Sequence, residues 1–262
     1  VMFLDWSGSM SNHLLDTVKQ VITLVQFCQK VQIPFEVYTF TTGSSRDSGC
    51  KPGQLSNKVV QLVQVITSTA KKNDLKKDIL NLFSQASYLE GKHSDGFISQ
   101  LLSLGGTPLD NALVMVPSII DRFRKNTGAQ IVSFVALTDG QSSPLMSGDE
   151  NGRISYGYYS DNYLRFGHQV YKVNVDFGNN YETSAIVGVL KKVTTDVSFT
   201  NIFIGGKSSS STHLEHSGVK FPKVASFIKE GGVSVTPETG WDLITCLNPK
   251  NFNNAQEEIE VE

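Results

Sequence analysis

Val1-Met2-Phe3-Leu4-Asp5-Trp6-Ser7-Gly8-Ser9-Met10 begins with four apolar residues, meets an acid, and passes into small hydroxyl residues around a glycine. A continuous apolar run ended by a turn signal is the pattern of a strand buried on both faces, as parallel sheets require. Gly8 supplies the tight turn. Apolar residues then recur at Leu14, Leu15, Val18, Val21, Ile22, Val25 and Cys28. That spacing predicts a helix over 12–31. Pro34 ends it, and Phe35-Glu36-Val37-Tyr38-Thr39-Phe40 reads as a second strand. Strand, helix and strand within about 40 residues make a βαβ unit, so the two strands are expected to be parallel.

Working outward, 41–58 is rich in Gly, Ser and Lys and reads as a loop, 59–66 as an edge strand, and 74–89 as a helix capped by Asn73 or Asp74. A helix-like stretch over 97–104 precedes Gly105-Gly106-Thr107-Pro108, a sharp break in the chain. One helix is expected over 110–125, closed by Gly128. The most apolar segment, 131–137, is expected to be the central strand and ends on Thr138-Asp139-Gly140. Residues 141–167, with several Gly and Tyr and no helical period, read as an inserted loop or hairpin. Beyond them come a strand at 170–175, a helix at 183–193, a last parallel strand at 201–204 and a helix at 222–229. Glu257, Glu258, Glu260 and Glu262 make 251–262 an acidic, solvated tail. The expected fold class is α/β: a Rossmann-like, doubly wound, mostly parallel sheet with helices on both faces. It forms one domain over 1–250 with insertions at about 41–104 and 141–167. Because the first strand has no lead-in, a region upstream of Val1 is expected to be absent from this chain.

The 262 residues carry 23 Lys+Arg against 25 Asp+Glu, a formal charge of −2, which excludes nucleic-acid binding through a general basic surface. Hydrophobic residues make up 39%, enough for a sizeable core. No apolar run approaches the ~20 residues of a membrane span, so neither nucleic acid nor membrane is an expected partner. Cys28, Cys50 and Cys246 are too far apart to suggest a disulfide framework or a zinc knuckle.

Chemistry concentrates in three segments at strand ends: Asp5-Trp6-Ser7-Gly8-Ser9, Gly105-Gly106-Thr107-Pro108 and Leu137-Thr138-Asp139-Gly140. Doubly wound sheets bind ligands outside the carboxyl ends of their strands, so distant loops can converge there. The candidate metal ligands are Asp5, Ser7, Ser9, Thr107 and Asp139. All are hard oxygen donors, which suits Mg²⁺, with Mn²⁺ or Ca²⁺ as substitutes, and disfavours zinc. Hydroxyls do not cancel a divalent charge, so an ion held this way gains from one more carboxylate, an Asp or Glu of a partner. Trp6, Met10, Gly106 and Gln141 are the expected rim that a partner would touch.

This D-x-S-x-S, Thr and Asp set resembles the von Willebrand factor A fold and its metal-ion-dependent adhesion site. More narrowly, 5–10, 27–31, 33–38 and 106–109 look like the C-terminal domain of cobaltochelatase large-subunit-like proteins, including those of tailed phages. The resemblance covers most of 1–140. It implies a non-catalytic adaptor working beside a MoxR/chelatase-type AAA+ ATPase, in the cytoplasm of a bacterium, a phage-infected one included. A virion or surface adhesion protein using the same metal site is the alternative. No His/Glu cluster for handling a porphyrin is visible.

Other readings weigh less. Asp5 could serve as an aspartyl nucleophile for phosphotransfer, but such sites want a second Asp two residues on, where Ser7 stands. Alone, Asp5-x-Ser7-x-Ser9 could be an N-cap turn. Gly205-Gly206-Lys207-Ser208 lacks the first glycine of a P-loop, Asn201 standing in its place, and reads as a flexible turn. No G-x-S-x-G elbow marks a hydrolase. His213-Leu214-Glu215-His216 reads as a solvated loop, and the tyrosines of 156–163 as loop packing or an aromatic contact surface.

Overall fold

A computed structural model describes residues 1–45, 49, 51, 55, 57–91, 98–156, 162–173, 182–219 and 231–249. In chain order it contains β1 (Met2–Asp5), α1 (Leu14–Lys30), β2 (Glu36–Thr42), β3 (Val60–Thr67), α2 (Lys72–Leu89), α3 (Leu109–Leu113), α4 (Val116–Thr127) and β4 (Val132–Thr138). Two short ribbons follow: β5 (Met146–Gly148) with β6 (Ile154–Tyr156), and β7 (Asn162–Phe166) with β8 (Gln169–Val173). The chain continues through α5 (Glu182–Val193), β9 (Val197–Ile204), α6 (Lys207–Glu215), β10 (Gly232–Val235) and β11 (Leu243–Leu247).

Seven strands form one sheet in the order β10-β11-β9-β4-β1-β2-β3. The five inner strands are parallel, and an antiparallel strand closes each edge. The βαβ expectation for β1 and β2 holds, β4 stands in the middle of the seven, and β3 is the edge strand next to β2. The fold is therefore α/β and doubly wound, with a mostly parallel sheet.

Alternation along β1 divides the core. Phe3 points to the face covered by α3, α4, α5 and α6, whereas Met2 and Leu4 point to the face under α1 and α2. Phe3 meets Phe134 edge-on at 4.9 Å between ring centroids, and Phe134 meets Phe199 at 5.6 Å, so aromatic contacts tie three neighbouring strands together. On the opposite face, Leu14, Val18, Val21, Val25 and Cys28 form the buried stripe of α1.

The structure revises several boundaries. The single helix expected over 110–125 is two, α3 and α4, because Pro117 has no N–H to give the carbonyl one turn back. Of the helix-like stretch at 97–104, residue 97 lies outside the described residues and Gln100–Leu102 is one 3-10 turn. The strand near 170 pairs with β7 outside the main sheet. The last parallel strand is β11, not β9. Residues 207–215, read as turn and loop, form α6. There His213 Nε2 lies 2.7 Å from Asn201 Oδ1, and its ring stacks on Phe203 at 4.1 Å. Helix 222–229, the tail 251–262, Cys50, Tyr158 and Tyr159 lie outside the described residues. Stretch 41–104 contributes β3 and α2 to the body of the fold.

Two consequences are measurable. Phe134→Ala removes a ring between β1 and β9 and is expected to cost about 3–5 kcal/mol in urea unfolding. Burial, and then the neighbouring His216, lower the His213 pKa to about 4. With an unfolded value of 6.5, its stabilising effect is complete above pH 6.5 and disappears as pH falls toward 4. Replacing His213 with Asn should flatten that part of the stability–pH curve.

Candidate metal centre

β1 and β4 are neighbours, yet the chain leaves β1 toward β2 on one side and β4 toward β9 on the other. That reversal opens a crevice at the carboxyl edge of the sheet. Asp5 is the last residue of β1 and Thr138 the last of β4. A third segment lies alongside. The Gly8 N–H donates to the Gly105 carbonyl at 2.8 Å, and the Gly105 N–H to the Trp6 carbonyl at 3.4 Å. Only glycine fits at 105: a Cβ there would stand 2.7 Å from Thr41 Oγ1 and 3.3 Å from the Thr42 nitrogen. The Gly106 N–H donates to Thr42 Oγ1 at 3.1 Å, so the end of β2 holds this loop in place.

The five expected oxygen-bearing residues come together in this crevice. Asp5 is fully buried, and its Oδ2 accepts a hydrogen bond from Thr138 Oγ1 at 2.7 Å. The Ser7 and Ser9 hydroxyls are 2.9 Å apart, and Ser9 donates to Asp139 Oδ1 at 2.7 Å. Thr107 approaches from the third loop: a Cβ built on Gly140 would lie 3.5 Å from its Oγ1 and 3.8 Å from Ser9 Oγ. Loops more than 130 residues apart thus share one small space.

One atom tests whether a cation fits. Asp5 Oδ1 is buried and has no hydrogen-bond partner among the described residues. An unpaired buried carboxylate oxygen is costly. Burial pushes the Asp5 carboxyl up to about 7, with nearby Asp139 adding to the shift, while the Thr138 and Ser7 hydroxyls offset part of it. Asp139 is also raised by burial, opposed by its hydrogen bond from Ser9. Two carboxylates that resist ionisation side by side, one with a bare oxygen, are what a hard cation would relieve. No group of three or more His, Cys, Asp or Glu able to hold a metal occurs among the described residues, so hydroxyls and water would complete such a shell.

The expected rim changes. Trp6 and Met10 are fully buried, and the Trp6 indole N–H donates to the Leu102 carbonyl at 2.7 Å. Both face the core beneath α1 because the chain turns inward there. They offer a partner no surface. Gly106 and Gln141 are exposed, and Gln141 contacts His216 at the end of α6. Thr138, which orients Asp5, was missed. Its only signal is register, since Leu4 pairs with Leu137 and the next residue of β4 therefore stands level with Asp5.

The chain matches no protein-family model and no curated protein. Among solved structures it aligns with the pilus adhesin SpaC of Lactobacillus rhamnosus GG in an open conformation. The TM-score is 0.44 and the identity 15%, over 98% of this chain and 29% of that one. The chain thus spans under a third of the adhesin's length, and the alignment assigns no role to any residue here. What can be said of the site comes from its own geometry.

Thr138→Val keeps the shape of the side chain but leaves Asp5 Oδ2 without this donor. Unfolding in urea with chelator present should show a loss of about 1–3 kcal/mol. A loss below the error of the measurement would mean that Thr138 does not orient Asp5.

Proposed function

We infer that this chain is a Mg²⁺-dependent protein-interaction domain of the von Willebrand factor A type, and that it acts as a non-catalytic adaptor. The bare, buried Asp5 Oδ1 within a ring of hydroxyls carries this reading. Asp5, Ser7, Ser9, Thr107 and Asp139 would hold the ion, directly or through water. A bound Mg²⁺ supplies a positive, exchangeable position that can take a carboxylate oxygen from another protein. Thr138 orients Asp5, Ser9 orients Asp139, and the Gly105-Gly106 segment brings Thr107 in from the third loop.

The donor count supports binding over turnover. Two carboxylates and three neutral hydroxyls leave room for an anionic partner group. The hydroxyls of Ser9 and Thr138 are engaged with carboxylates rather than with an imidazole base. The resemblance of 5–10, 27–38 and 106–109 to cobaltochelatase large-subunit-like proteins points to a MoxR/chelatase-type AAA+ ATPase as the partner, and to a bacterial cytoplasm as the place. No helix among the described residues is long and apolar enough to cross a membrane.

Thermal unfolding separates the metal from the fold. Mg²⁺ at about 100 times its dissociation constant should stabilise the chain by about 2.7 kcal/mol relative to chelator. Asp5→Asn should abolish that gain and, having no buried charge, unfold no earlier than the parent in chelator. Affinity purification with and without Mg²⁺ then tests the partner. Retention of the ATPase should require Mg²⁺ and Asp5; capture that persists in excess chelator sinks the metal-bridge reading.

A further inference from the structure

We propose that a groove at the pole opposite the metal loops takes the acidic segment 257–262 of a second copy of this chain. The groove lies at the amino end of β2, between the α1–β2 connection, the start of α2 and the end of α4, and has a volume of about 560 Å³. Ile33, Pro34 and Leu75 give it apolar walls, Gln32 and Asn126 give it amides, and Lys72 is the one charged side chain among the residues lining it. Exposed Lys30 and Lys71 are sequence neighbours of residues in its wall. An apolar strip on α1 runs up to it: Leu24, Phe27, Val31 and Ile33 are 42%, 56%, 47% and 51% exposed. Four large apolar side chains along one ten-residue stretch are more than scattered surface residues explain. The surface therefore suits a segment that is apolar along one side and acidic along the other.

The chain contains such a segment. Glu258-Ile259-Glu260-Val261-Glu262 alternates acid with β-branched apolar residue, so an extended backbone would place Ile259 and Val261 on one face and three carboxylates on the other. Its charge is opposite to that of Lys30, Lys71 and Lys72. Reach decides whose groove it fills. Leu247 is level with Ile204, and the registers of β4 and β1 carry that level to Thr41 of β2. Phe35 lies six residues below Thr41, about 20 Å, and β2 lies four strands from β11, about 19 Å, so the straight path through the sheet is about 28 Å. The eight residues from Pro249 to Glu257 span at most about 28 Å. A path around the surface is longer than that. The segment reaches a neighbour's groove, not its own.

Sedimentation velocity of the full chain tests this. The expected result is monomer near ~1 µM and association by ~100 µM that weakens with salt and ignores chelator. Lys72→Glu, a surface change, should weaken association about tenfold or more, and so should Glu258→Lys with Glu260→Lys. Combining the two reversals should restore it. A chain that stays monomeric throughout, or an association indifferent to both reversals, overturns the proposal. So does an association lost on adding chelator, which would belong to the metal loops instead. Because the groove makes no use of the metal, its failure leaves the adaptor reading untouched.

Discussion

A carboxylate with no exposure to solvent sits at the end of the first strand, and much of the local architecture follows from it. Asp5 is placed where β1 must stop, between two strands that occupy its flanks, and one of its oxygens has a hydroxyl donor while the other has none. A buried anion costs several kcal/mol unless it is paired. The sheet does not pair it with an Arg or Lys. Hydroxyls surround it instead, which soften the cost without cancelling the charge. A site built this way is energetically incomplete when empty, and that incompleteness is a property a binding site can use.

The rest of the crevice depends on close backbone approach. The Gly105 segment can lie against β1 only because no Cβ intrudes on Thr41 and Thr42 at the end of β2. Thr107 therefore takes its place through contacts made by the backbone before it, and the adjacent Leu109 anchors α3 in the core. Packing and site are thus coupled through one loop. A change that loosened the seat of Gly105 would move a candidate ligand without touching either carboxylate.

How much of this could be read from the chain follows the range of the signals. The strands β1, β2 and β4 and the helix α1 announce themselves through apolar runs and helical spacing, and the three hydroxyl- and acid-bearing segments stand at their ends. Their convergence follows from the rule that doubly wound sheets use their carboxyl edge. What was not legible is what depends on register and on neighbours. Thr138 is an ordinary strand residue until pairing sets it level with Asp5. Trp6 adjoins the acid, so proximity in sequence suggested a rim, but alternation along the strand turns it to the core. Helix α6 begins after two glycines with four consecutive serines, a composition that reads as a turn. It is held by Leu214 in the core and by His213 against Asn201 and Phe203, contacts invisible to local propensity. Strand β11 likewise needs β9 to be recognised as parallel.

The two ends of the sheet then differ in kind. At the carboxyl edge, charge is buried and held by short, directional hydrogen bonds, which favours a partner offering one well-placed oxygen. At the amino edge, apolar side chains are exposed and charge is sparse, which favours an extended partner offering area. Point recognition by a cation discriminates by geometry, whereas a groove discriminates by pattern. The inner strands are parallel, so the loops of the metal crevice all issue from one edge and the α1–β2 turn, which forms part of the groove wall, from the other. The two edges are joined by buried strands that resist deformation. A partner on one edge therefore leaves the other edge free, and a chain of this design can hold two partners at once without their competing for the same surface.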